Sequence, residues 1–243
     1  RVLSYDSIFR KLASTVGTIA SGQTVSAAFK SLFNRPSVTS ILNYSASNIN
    51  PLLNLVIDDA SNLVNISFKE AIDKLASISC SVVYIDSSDN IIVRSRAESS
   101  AVAYEFWNWG DMLGRNNIIG ISNFNTGLQR AFNLFKIGNV SSSNNNSIAD
   151  FGLREKTLDG LETIITNTTK QQTICDIYID NFSIPKKELI LTVKSEIAKD
   201  LKLFDKITLG YSSRPIKRSQ APYLYLEPIP STANYNAPYS FEG

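Results

Sequence analysis

The chain has 243 residues, 43% of them hydrophobic, which is enough for a sizeable core in one large domain or two modest ones. Charged residues make up only 19%, and the net charge of +2 excludes a strongly basic nucleic-acid binder and an acidic tail protein. No apolar run approaches the ~20 residues that span a bilayer.

The N-terminal stretch reads as helical. Ile8, Leu12 and Val16 fall on one stripe at four-residue spacing. Asp6 and Lys11 interrupt it too early for a signal peptide. The chain begins at Arg1, so it is expected to be a piece of a longer polypeptide. A second helical pattern, "TVSAAFKSLF", carries Val25, Phe29, Leu32 and Phe33 and stops at "NRP", because the residue before a proline avoids helical angles. A short strand, "LNLVID", is expected among the turns that follow.

"SFKE" at Ser67–Glu70 has the S-x-x-E form of a capping box. In it the Ser67 hydroxyl accepts an amide hydrogen and Glu70 reaches back to the start of the helix. The apolar stripe is Phe68, Ile72, Leu75 and Ile78, or Ala71, Leu75 and Ile78, and the helix should end near Ser79. "CSVVYID" and "IIVRSR" read as two antiparallel strands joined by the turn "SSDN", leaving one face for the helix. Arg94 and Arg96 alternate, so they share a face and form a candidate basic surface.

Residues 97–118 read as an irregular connector. Tyr104, Phe106, Trp107 and Trp109 make it a candidate interface or binding patch. Beyond it, "NLFKIGNV" is expected as a strand, "SSSNNNS" as a flexible loop, and "IADFGLREKTLDG" as a turn with a short ordered piece. "TTKQQTICDIYIDNFSIPKK" reads as a helix capped by Thr168 or Thr169. It faces Ile174, Ile177, Tyr178 and Phe182 inward and is closed by Pro185. Two strands follow, one with Leu189, Leu191 and Val193 on a single face, the other with Ile207 and Leu209 inward. The last 30 residues hold five of the eight prolines and should run extended along a neighbouring surface. Within them Arg214, Lys217 and Arg218 form a second basic cluster. The expected domains are 1–100, 101–213 and the tail 214–243.

The chemistry available is narrow. With no histidine, the Ser-His-Asp and Cys-His arrangements are impossible within the chain, and the commonest metal ligand is missing. No cysteine spacing suits zinc, and no phosphate-binding glycine pattern is present, so neither a metal nor a cofactor is expected. Cys80 and Cys175 sit in apolar segments and read as buried free thiols. Asn65 and Asn167 head Asn-x-Ser/Thr triplets, a chance product of an Asn- and Ser-rich chain. Asp58–Asp59 is the best carboxylate pair for a hydrolase, with Glu70 beside it as a candidate. Its plainer reading is a turn that caps the next segment.

The helix and hairpin of residues 67–96 resemble a segment of phage tail hub proteins. Residues 133–211 are similar to the tube-like domain of those hubs. The motif residues are Ser147, Ile148, Phe151 and Gly152 in a turn, then Pro185, Leu203, Asp205 and Ile207. Phe204 stands where a glycine is usual. The resemblance covers roughly residues 60–212. It implies an α+β fold, with a tube-like β-barrel or sheet domain braced by a helix and a smaller helix-and-hairpin domain. It also implies a non-enzymatic homotrimeric ring in the virion. That ring joins the hexameric tail tube, or a distal tail protein, to a trimeric spike or fibre, and it lines a channel that passes DNA and the tape-measure protein. Two rival expectations stand beside it: a receptor- or glycan-binding module built on Tyr104, Phe106, Trp107 and Trp109, and a cell-wall hydrolase using Asp58, Asp59 or Glu70.

Overall fold

The computed structural model describes residues 19–86, 88–95, 102–107, 118–125, 127–186, 188–193, 201 and 206–210. The chain forms two compact units. One joins residues 1–97 to 127–186, and the other joins 98–126 to 187–243. Both units are discontinuous in sequence, whereas the sequence reading cut the chain into consecutive pieces. The expected N-terminal helix of Ile8, Leu12 and Val16 and the proline-rich tail lie outside the described residues.

The first unit opens with α1, Val25–Phe33, whose start is fixed by the Thr24 hydroxyl accepting the Ala27 amide at 3.2 Å. Val25, Ala28, Phe29, Leu32 and Phe33 are all buried, and the Phe29 and Phe33 rings stack with centroids 5.8 Å apart. Arg35, ahead of Pro36, is extended, and Pro36 begins the short helix α2, Pro36–Thr39.

The strand expected at "LNLVID" is a strap instead. It makes one isolated bridge, Thr24 to Val56, and its backbone is shared among three neighbours. The Leu53 amide donates to the Ser79 carbonyl, the Val25 amide donates to the Leu55 carbonyl, and the Asp58 and Asp59 amides both donate to the Ile164 carbonyl. With its donors and acceptors used this way, no continuous ladder forms. The strand in this region is β1, Ile49–Asn50.

Helix α3, Phe68–Ile78, starts where the Ser67 hydroxyl accepts the Glu70 amide at 3.1 Å. The reciprocal half of the capping box is not formed. The Glu70 carboxylate pairs with Lys74 at 3.3 Å, the favourable acid-before-base order at four-residue spacing. Phe68, Ala71, Ile72, Leu75 and Ile78 are all buried, so the two alternative stripes merge into one broad face. Cys80, at φ +48°, reverses the chain into β2, Ser81–Ile85. β2 pairs antiparallel with β3, Ile91–Ser95, in the register Val83 to Val93, and β1 adds to β3 in parallel. α3 packs on this sheet over Val83, Ile91 and Val93.

The rest of the unit is a second sheet with one long helix. β6, Leu134–Ile137, turns through Gly138 into β7, Val140–Ser143, and β8, Glu155–Thr157, joins β6 in parallel. The structure places β4 and β5 of the second unit before them in the chain: β4 is Val102–Trp107 and β5 is Ile118–Asn125. The segment "SSSNNNS" is therefore ordered. Its first three serines, Ser141–Ser143, pair with β6, and Asn144 caps α4, Asn145–Phe151, by accepting the Ser147 amide at 3.0 Å. α5 spans Thr168–Phe182, and its cap is Asn167 rather than Thr168 or Thr169, with Oδ1 accepting the Thr169 and Lys170 amides. α5 buries Ile174, Cys175, Tyr178 and Ile179, while Ile177 and Phe182 pack at the margin of the same core. The Tyr178 hydroxyl donates to the Ser77 carbonyl at 3.0 Å and ties α5 to the end of α3.

In the second unit β4 is a strand where a connector was expected. It pairs in parallel with β10, Lys206–Gly210. β5 pairs antiparallel with β9, Glu188–Val193, with irregularities between Ile118 and Gly120 and between Ser122 and Asn125. Leu189, Leu191 and Val193 alternate with the more exposed Ile190 and Thr192. Ile207 was expected inward and is exposed. The molecule is an α+β fold. Among the described residues it has four separate sheets, and none closes into a barrel. Among those residues no helix is long and apolar enough to cross a membrane.

Candidate assembly surface

The most distinctive local structure in the first unit lies between α4 and β8. Asn133 is buried at the start of β6, and its side chain organises the turn. Its Nδ2 donates to the Gly152 carbonyl at 2.7 Å and to the Ser147 hydroxyl at 3.4 Å, and its Oδ1 accepts the Arg154 amide at 2.7 Å. Ser147, also buried, donates to the Ser183 carbonyl, and Asn144 Nδ2 donates to the Ser183 hydroxyl at 2.9 Å. One connected set of hydrogen bonds thus joins the start of β6, both ends of α4 and the end of α5. Gly152 ends α4 at φ +74° and ψ +166°, a conformation open only to glycine.

This polar frame presents apolar side chains to solvent. Phe151 and Leu153 flank Gly152, and Ile184 follows Ser183. They are 41%, 63% and 64% exposed. β8 comes next in the chain and lies at the edge of its sheet, with all three residues exposed. Lys136 and Glu155 pair across β6 and β8 at 2.8 Å, and Lys156 lies 5.4 Å over the Phe132 ring. A fixed turn carrying two exposed apolar residues, tied by hydrogen bonds to the end of α5 where a third is exposed and leading into an edge strand, suits a protein contact better than a reaction.

Of the motif residues quoted from the sequence, Ser147, Ile148, Phe151 and Gly152 form α4 and its end, so this segment is itself a helix. Leu203 and Asp205 lie outside the described residues. Asn133 was missed. Its signal is a polar residue within the apolar run "AFNLFKI", where burial demands hydrogen-bond partners.

The other predicted residues are dispersed. Phe106 is buried in β4, so it offers no surface to a ligand. Tyr104 and Trp107 pair through their backbones with Ile207 and Gly210, and Trp109 lies outside the described residues. Arg94 sits in β3 opposite Val82, and Arg96, Arg214, Lys217 and Arg218 lie outside the described residues. Ser67 and Glu70 act at the start of α3, as described above.

The carboxylate pair is committed elsewhere. Asp58 pairs with Lys170 and accepts the Asn167 amide at 3.0 Å, while Asp59 accepts the Ser61 amide at 2.8 Å. Burial acts to raise the Asp58 carboxyl, and the hydrogen bonds from Lys170 and the Asn167 and Thr166 amides outweigh it, so its pKa is lowered. The Ser61 backbone and then side-chain hydrogen bonds lower that of Asp59. A general acid needs the opposite shift. Cys80 and Cys175 are buried cysteines, and burial, with Asp176 nearby, pushes the Cys175 thiol up to about 11. No group of three or more metal-ligating side chains occurs among the described residues.

No protein-family model matches the chain, and no curated protein sequence matches it. Solved structures do. The tail protein from Neisseria meningitidis MC58 superposes with a TM-score of 0.53 at 14% identity, over 78% of this chain and 55% of that one. The 43 kDa tail protein of prophage MuSo2 from Shewanella oneidensis gives a TM-score of 0.41 at 14% identity, over 72% of this chain and 49% of that one. The chain therefore spans about half the length of the structures it matches, and with the first of them it shares a fold.

Proposed function

We propose that the chain is a structural, non-enzymatic component of a phage tail, located in the virion. In the finer reading it is a hub subunit of the tail tip or baseplate. Three copies form a ring between the hexameric tail tube, or a distal tail protein, and a trimeric spike or fibre. The ring lines the channel used by the tape-measure protein and DNA at ejection.

The observation that carries this reading is the fold shared with the Neisseria tail protein. The exposed Phe151 and Leu153 on the Gly152 turn, and Ile184 at the end of α5, support it, because exposed apolar residues on a rigid frame are what a subunit contact needs. The hydrolase alternative loses its best residues to structural pairing. Asp58 holds the strap through Lys170, Asp59 closes a local turn with Ser61, and Glu70 pairs with Lys74. The binding-module alternative loses Phe106 to the interior.

The test is the mass of the purified chain by light scattering, followed by negative-stain images of the same peak, alone and after mixing with tail-tube protein. A threefold ring with an axial hole is expected. A compact monomer that stays monomeric with tail-tube protein overturns the hub reading.

A further inference from the structure

We draw no further inference here: the strongest candidate, the apolar surface of Phe151, Leu153 and Ile184 beside the outer edge of β8, belongs to the site already described, and nothing in the structure shows what covers it.

Discussion

Lys170 grips the strap from the first turn of α5: its ammonium pairs with the carboxylate of Asp58, 112 residues away in sequence, and also donates to the Val56 carbonyl at 2.9 Å. The second oxygen of Asp58 accepts the Asn167 amide, so one carboxylate serves both the lysine and the N-terminus of a helix. The pair therefore fastens the two sequence halves of the first unit together.

Both side chains are mostly shielded, at 25% and 20% exposed, so the pair is worth more than a surface ion pair. Asp58→Ala should cost about 1.5–3 kcal/mol in urea unfolding at pH 7, the range for hydrogen bonds to charged groups. Because its folded pKa lies below the ordinary 3.8, the stability it contributes is present above that value and lost as pH falls through the folded pKa. The gap between wild type and Asp58→Asn should accordingly narrow below about pH 4. A gap that stays constant from pH 7 to pH 2 would show that the carboxylate charge is irrelevant.

Asn133 makes a separate prediction. Asn133→Leu removes the partners of the Gly152 carbonyl and the Arg154 amide together, at about 1–3 kcal/mol for each buried group left unpaired. Gly152→Ala should cost about 1–3 kcal/mol by a different route, the backbone strain of a side chain at its φ and ψ. The space around Gly152 is open, so no steric clash adds to this. Urea denaturation of the two single variants and the double variant checks both. Costs below 0.5 kcal/mol would remove the turn from the list of rigid features.

These cases show what the sequence makes legible. α1 and α3 were readable because their apolar residues recur at helical spacing, and α3 also because its cap, Ser67, stands immediately before it. The β2–β3 hairpin was readable from two β-branched runs around a polar turn. β7 and α4 were not, because serines and asparagines suggest a loop. Here the partner strand β6 satisfies the backbone of the serines, and Asn144 caps a helix that Asn145 and Asn146 open instead of a linker. The strap misled in the opposite sense, since its apolar pattern is that of a strand while its hydrogen bonds go to three different elements. The apolar surface was illegible because exposure of Phe151 and Ile184 depends on a fold that a one-dimensional pattern does not contain. Asn133 depends likewise on partners 14, 19 and 21 residues away.

The hairpin turn after β2 offers two substitutions of opposite sign. Asp86 Oδ1 accepts the Ser88 and Asn90 amides, each at 2.9 Å, so Asp86→Ala should destabilise by about 1 kcal/mol. Asp89 sits at φ +59°, where glycine has no Cβ to clash, so Asp89→Gly should be neutral or stabilising by up to about 1 kcal/mol. Thermal unfolding of the two variants separates them. Destabilisation by Asp89→Gly would show that its side chain, not its backbone, matters to the turn.

The two thiols should be silent in the native state. Cys80 and Cys175 are buried, and a Cys175 pKa near 11 leaves little thiolate at neutral pH. A thiol-reactive chromophore should label neither in native protein and both in 6 M guanidinium. The raised folded pKa gives stability that is intact below the ordinary 9.0 and lost as pH rises toward about 11, so unfolding should become easier over that interval. Rapid native labelling at pH 7 would mean that the core opens at these positions.

The surface carrying Phe151, Leu153 and Ile184 gives the assembly test. The three residues are exposed in the single chain, so replacing them together with serine should change its intrinsic stability by no more than about 0.5 kcal/mol per site. If they form a subunit contact, burial of each in the assembly contributes roughly 1–2 kcal/mol from apolar area at ~25 cal/mol per Å². The triple variant should then shift the light-scattering mass from the assembled form toward the monomer at the same concentration, with an unchanged circular dichroism spectrum. As a control, Ile41→Ser alters an equally exposed apolar residue elsewhere in the unit and should leave the mass unaltered. Equal masses for wild type and the triple variant would place the contact on another face.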